Sequence, residues 1–216
     1  MDPRLLSVNV GKPAVIGTRR GRPVYSAIGK APVDGRIRVE GVNLAGDDQA
    51  DRRVHGGPDK AVYAYPSEHL PWWREQLGQA LGPAPFGENL STGAALETEV
   101  RIGDLWGWGD AVLQVCQPRW PCFKLALHRG SRDVQALMRQ SGRTGWYLRV
   151  IEPGEVPAGG PIELLRQDGA GITVHDAHLA MGDTHGDDLE RLRAVAGHPA
   201  LAAQWRTPLV ERLGRR

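Results

Sequence analysis

The chain has 216 residues, with 27 Lys and Arg against 25 Asp and Glu, so its formal net charge is only +2. That length buries one sizeable core and leaves room for a small appendage. The near balance of charge excludes a broad electrostatic footprint for a nucleic acid polymer or an anionic membrane, so any partner is expected at a local site. Two cysteines, Cys116 and Cys122, and no basic-then-apolar leader point to a cytoplasmic protein with reduced thiols. No apolar run approaches the roughly 20 residues that a bilayer requires, and no membrane partner is expected.

From Arg4 onward come short β-type runs cut by Gly and Pro: LLSVNV, VYSAI, RIRVEGV and, after His55-Gly56-Gly57-Pro58, AVYAY. Such short strands predict a barrel or sandwich. Ser67 and Glu68 open a helix with Leu70, Trp73, Leu77 and Leu81 at helical spacing, ended by Gly82 and Pro83, with Pro71 in or near its first turn. The stretch PAPFGENLSTGAALE reads as irregular. TEVRIGD, DAVLQVCQ, WYLRVIE and PIELLR then alternate as half-buried strands, and Ser131 is the expected N-cap of DVQALMRQ, closed by Gly142. After about Gly171 no strand-like run remains. Asp187 and Asp188 precede LERLRAVAG as a cap, and Pro199 is the expected start of ALAAQWRTPLVERL, so about three short helices follow the β region.

In QPRWPCFKL, Pro118 and Pro121 stiffen the backbone around Cys122 while Arg119 and Lys124 bring cations close in sequence. Nearby positive charge favours the thiolate, which attacks electrophiles or binds a soft metal, although a lone cysteine also serves as a small buried hydrophobe. Cys116 reads as structural, in a strand on the face of Val112 and Gln114. In DRRVHGGPDKAV the paired glycines, with His55 and Lys60, can hold an anion such as phosphate or simply turn the chain. In FGENLST, Asn89 either reads a heterocycle or phosphate or braces a turn. The tryptophans at 72, 73, 106, 108, 120 and 146 line a pocket for a flat substrate or fill the core. Zinc-type Cys and His spacings, HExxH, GxSxG and a strand-to-helix GxGxxG are all missing, which argues against zinc, serine-hydrolase and nicotinamide chemistry.

The succession GDDQADRRVHGGPDKAVYAYP, FGENLSTGA, IGDLWGWGDAVLQVCQPRWPCFKL and GRTGWYLRVIEPGEVPAGGPIEL resembles the MOSC family, named for the C-terminal domain of molybdenum cofactor sulfurase. The similarity is to its stand-alone, YiiM-like bacterial branch. It runs from Ser26 to Leu164, and the ending LAAQWRTPLVERLG resembles that branch's three-helix unit.

The resemblance implies a mostly β fold with α, a MOSC-type β-barrel domain over residues 1–170 and a small C-terminal three-helix domain over 171–216. It implies a molybdopterin-type molybdenum cofactor, with Cys122 of the PRxPCxK pattern as the metal ligand and the catalytic cysteine. Arg119 and Lys124 would offset the cofactor's negative charge, and His55, Gly56, Gly57 and Asn89 would border it, with Lys30 and Arg149 as weaker candidates. The implied reaction is reduction of small N-hydroxylated compounds such as hydroxylaminopurine-like bases. Two cysteines cannot hold a usual iron–sulfur cluster, so electrons are expected from a separate reductase. The matching region begins near residue 1, without the additional N-terminal domain of the larger amidoxime-reducing relatives. Two other readings stand beside the reductase: sulfur transfer through a persulfide on Cys122, and a non-catalytic cofactor-binding module.

Overall fold

The structure is a computed structural model and describes residues 3–51, 56–185 and 187–215. Its main element is a curled, mixed sheet, a half-barrel. The strand order is β13-β1-β8-β7-β11-β10-β9-β14, with β4 also paired to β1. The central strands are β1 (Arg4–Val10), β7 (Val62–Pro66), β8 (Leu90–Gly93), β9 (Leu105–Trp108), β10 (Ala111–Pro118) and β11 (Trp146–Glu152). The edges are short: β4 (Ala31–Val33), β13 (Gly160–Pro161) and β14 (Glu163–Arg166). A three-stranded sheet joins β12 (Gly154–Pro157) to β5 (Arg36–Glu40) and β6 (Asn43–Leu44), and β2 (Ala14–Arg19) with β3 (Arg22–Ser26) forms a separate hairpin.

The mostly β reading is the observed one, and several local readings are corrected. TEVRIGD forms no strand, because Val100 and Glu99 both donate to the carbonyl of Leu96 in a turn, leaving a single bridge from Arg101 to Thr173. Its alternation still reports burial, since Val100 and Ile102 face the core. Part of the stretch read as irregular is β8, paired antiparallel to β1 and parallel to β7. Only four residues long and rich in small polar side chains, it carries little β signal of its own.

Helix α1 is Leu70–Leu77, preceded by a 3-10 turn over Ser67–His69 and ended by Gly78 in the left-handed conformation rather than at Gly82. Helix α2, Phe123–Arg129, follows Cys122 directly. Helix α3, Val134–Ser141, starts after Asp133. Ser131 instead accepts the amide of Asp133 in the preceding turn, at 3.3 Å, and Gly142 closes the helix as expected.

The tail has three helices: α4 (Val174–Gly182), α5 (Leu189–Gly197) and α6 (Ala203–Gly214). Thr173 and Asp176 cap α4 reciprocally, and Asp188 caps α5 through the amide of Arg191. Helix α6 starts four residues beyond Pro199, because Ala200 and Ala202 are held outside it: the carbonyl of Ala200 by Arg149 and the amide of Ala202 by the carbonyl of Cys116.

One apolar cluster runs from Val8, Val62 and Leu113 in the sheet to Val174, Leu192, Trp205 and Leu209 in the tail. A second contains Tyr63, Tyr65, Trp73, Phe86, Leu125 and Met138, where α1, α2 and α3 pack on the sheet. Trp73, Trp106, Trp108 and Trp146 are fully buried core, whereas Trp120 is 41% exposed. No helix among the described residues is long and apolar enough to cross a membrane.

Candidate functional site

β10 ends at Pro118, and the chain then crosses Arg119 to Pro121 without regular structure before α2 begins. Cys122 occupies the N-cap position of α2 in an extended conformation and is half-buried. Two cavities meet there, both lined by Lys60, Arg119, Cys122 and Tyr147.

The first cavity is small, about 90 Å³. Lys30, Lys60, Arg119 and Lys124 line it against Asp47 and Asp48, so among the described residues cations exceed carboxylates by two. The back of this cavity is fixed by a buried network. Lys30 pairs with Asp47 Oδ1, which also accepts the Gly11 amide at 2.7 Å, and Asn89 Nδ2 donates to Asp47 Oδ2 at 2.8 Å. Asn89 Oδ1 in turn accepts the Tyr63 amide at 3.1 Å, so Asn89 ties β7 and β8 to the loop that carries Asp47. Burial lowers the pKa of Lys30, with Asp47 opposing the shift, and it lowers that of Lys60, with Cys122 and Asp59 opposing.

Arg119 is 6% exposed. Its Nη1 donates to the carbonyl of Phe86 at 2.7 Å and to Tyr63 Oη at 3.2 Å, and the guanidinium lies 4.8 Å from the centre of the Tyr63 ring. These contacts fix a permanent charge under the cavity floor. Gly87 has φ 78°, and a Cβ there would sit 2.5 Å from Ile28 Cγ1 in the opposite wall, so the FGENLST turn depends on glycine. The neighbouring Glu88 is 1% exposed and accepts from the Phe86 amide and Ser91 Oγ; burial pushes its pKa up to about 7.

The second cavity is larger, about 430 Å³, and lies between the Cys122 loop and the tail. Trp120 and Pro121 wall one side, Met181 of α4 and Trp205 and Pro208 of α6 the other. Gln204 Nε2 donates to Gln117 Oε1 across the junction.

The structure thus brings Cys122, Arg119, Lys124, Lys30 and Asn89 of the sequence candidates to one place. Gly56 and Gly57 line neither cavity. Gly57 accepts the Lys60 amide at 3.0 Å and turns Lys60 toward Cys122. His55 lies outside the described residues. Arg149 also lines neither cavity: its Nε meets Asp59 Oδ1 at 2.8 Å and its Nη2 the Ala200 carbonyl at 3.0 Å, which binds the tail to the β region. Cys116 is fully buried, with its thiol pKa pushed up to about 12. A bulge between Val115 and Gln117 breaks the alternation that would place it with Val112 and Gln114, and both of those are less buried.

A model of the MOSC domain matches residues 51–163. The chain belongs to the MOSC domain family. YiiM of Escherichia coli is 41% identical to this MOSC protein over 201 residues, covering 89% of this chain and 85% of YiiM. YflK of Bacillus subtilis is 38% identical over 211 residues, covering 98% and 95%. The crystal structure of YiiM from Geobacillus stearothermophilus superposes with a TM-score of 0.81 at 33% identity, covering 98% of this chain and 99% of that one. A protein of Gibberella moniliformis named reductase is 36% identical over 68% of this chain, which corresponds to 27% of its own length.

Sequence reasoning missed Asp47, Tyr63, Tyr147, Gln204 and Trp205 at this site. Asp47 lies in GDDQADRR, where nothing local reports that it faces Lys30. Gln204 and Trp205 lie more than eighty residues beyond Cys122 and read as ordinary helix residues.

Proposed function

We propose that this MOSC protein is a cytoplasmic, molybdenum-cofactor-dependent oxidoreductase that reduces small N-hydroxylated compounds, hydroxylaminopurine-like bases among them. One observation carries the reading: Cys122 lies on the wall shared by a cation-lined cavity and an aromatic one.

The donor set suits the cofactor. Cys122 would offer a metal one soft thiolate ligand from the chain. Lys30, Lys60, Arg119 and Lys124 supply positive charge for a phosphate and dithiolene, with Arg119 and Lys30 fixed by their partners. When bound, the cofactor supplies two-electron reducing chemistry for an N–O bond: R–NHOH takes up two electrons and two protons and gives R–NH2 and water. The residues of the chain do the rest. The loop between Pro118 and Pro121 aims the Cys122 thiolate, the buried Asp47–Asn89 network holds the cationic wall, and the tail helices wall one side of the second cavity. The electrons come from a separate reductase.

The test is molybdenum per chain after expression in a host that makes the cofactor, for the natural protein and Cys122→Ala. The expected result is near-stoichiometric metal that falls at least tenfold in the variant. Metal-free protein carrying an extra sulfur atom on Cys122 would replace this reading with sulfur transfer, and metal with no turnover under a competent donor would leave a binding module.

A further inference from the structure

The tail is more than a cover. We propose that the C-terminal helices form the specificity wall of the reaction chamber, with Trp205, Met181 and Gln204 selecting a planar heteroaromatic substrate that is held against Trp120 beside Cys122. What the chamber selects for rests on the oxidoreductase reading of Cys122.

Three observations converge. First, the chamber of about 430 Å³ is a half-open space walled by α4 and α6 on one side and the Cys122 loop on the other, and its size suits a bicyclic ring. Second, Trp120 keeps 41% of its surface exposed on a segment bounded by Pro118 and Pro121 and faces this chamber, with its ring centre 5.9 Å from that of Trp205 and their planes at 76°. A half-exposed indole on a stiff loop, meeting a second indole at a steep angle, offers one face for stacking and one edge for lateral contact. Third, Pro208 lies inside α6. Having no N–H, it leaves the carbonyl of Gln204 without its helical donor. Gln204 Nε2 gives one hydrogen to Gln117 Oε1, and its second N–H together with that carbonyl offers a donor and an acceptor at the rim, the pair that reads the edge of a nitrogen heterocycle.

These tail residues are specificity-determining and do none of the chemistry. The full-length protein, expressed with its cofactor, is titrated calorimetrically with adenine and with cyclohexanecarboxamide, a non-planar amide. Adenine should bind at least tenfold more tightly than the amide. Met181→Trp, which fills the chamber, should weaken adenine at least tenfold, and Gln204→Leu, at an exposed position, threefold or more. Thermal melting checks both folds, and Gln204→Leu carries the test if the larger substitution unfolds the tail. No saturable adenine binding, or equal affinity in the natural protein and the folded variants, would overturn the proposal. Cys122→Ala is run alongside. Adenine binding that persists there and stays sensitive to Gln204→Leu, when the natural protein itself never holds molybdenum, would sink the oxidoreductase reading and leave the wall standing. Molybdenum retained through Cys122 with adenine indifferent to the tail would do the reverse.

Discussion

Glu88 should make this protein less stable as pH rises from 5 to 8. Its carboxyl is 1% exposed and its pKa is pushed from the ordinary 4.5 to about 7, first by desolvation, against hydrogen bonds from its own amide, the Phe86 amide and Ser91 and the field of Arg119. In this window the folded chain binds more protons at Glu88 than the unfolded chain does. Stability therefore falls as pH climbs from the unfolded value toward the folded one, and the loss is complete above about 7. At about 1.4 kcal/mol per pH unit, the shift corresponds to about 3 kcal/mol.

His128 and His178 act in the opposite sense, because burial lowers their pKa values and folding then weakens as pH falls below the ordinary 6.5. A raw pH curve mixes the two effects. The difference between the natural protein and Glu88→Gln, which keeps the volume and removes the titration, isolates Glu88. Urea unfolding followed by tryptophan fluorescence at pH 5, 6, 7 and 8 should show the variant gaining about 3 kcal/mol on the natural protein across the series. That is about 1.5 M in midpoint for a slope of about 2 kcal/mol/M. A difference that stays constant with pH would refute the reasoning.

Two further outcomes test the site's framework. Asn89→Ala removes the donor to Asp47 and the acceptor of the Tyr63 amide, leaving buried groups unpaired. It should cost about 2–4 kcal/mol in urea unfolding, and a loss below about 1 kcal/mol would show that the network does not brace the cavity. At pH 8 a thiol reagent should modify one cysteine in the folded chain and the second only after unfolding. Cys122 is half-buried, whereas Cys116 is fully buried with its pKa pushed up to about 12, leaving a thiolate fraction of about one in ten thousand. Equal native rates for both would contradict the placement of Cys116.

By itself the sequence determined the elements whose signals are local. Short β-type runs marked β1 and β7, alternation marked β10 and β11, Gly142 closed α3, Asp188 capped α5, and the prolines and cations around Cys122 singled out one thiol of two. The family resemblance brought Asn89, Arg119, Lys124 and Lys30 to the same place. Tertiary structure decided what depends on residues far apart in the chain. β8 has four residues and becomes a central strand only by pairing with β1 and β7. Asp47 acquires a role only once Lys30, Gly11 and Asn89 surround it in a space too dry for an unpaired carboxylate. Arg149 reads like a ligand for an anion, yet folding turns it to Asp59 and the Ala200 carbonyl, where it fastens the tail. The second cavity belongs to no single segment. It exists because burial of Val174, Leu192 and Leu209 in the same core as the sheet brings α4 and α6 over Cys122, and apolar burial acts on surfaces that only the folded chain brings together.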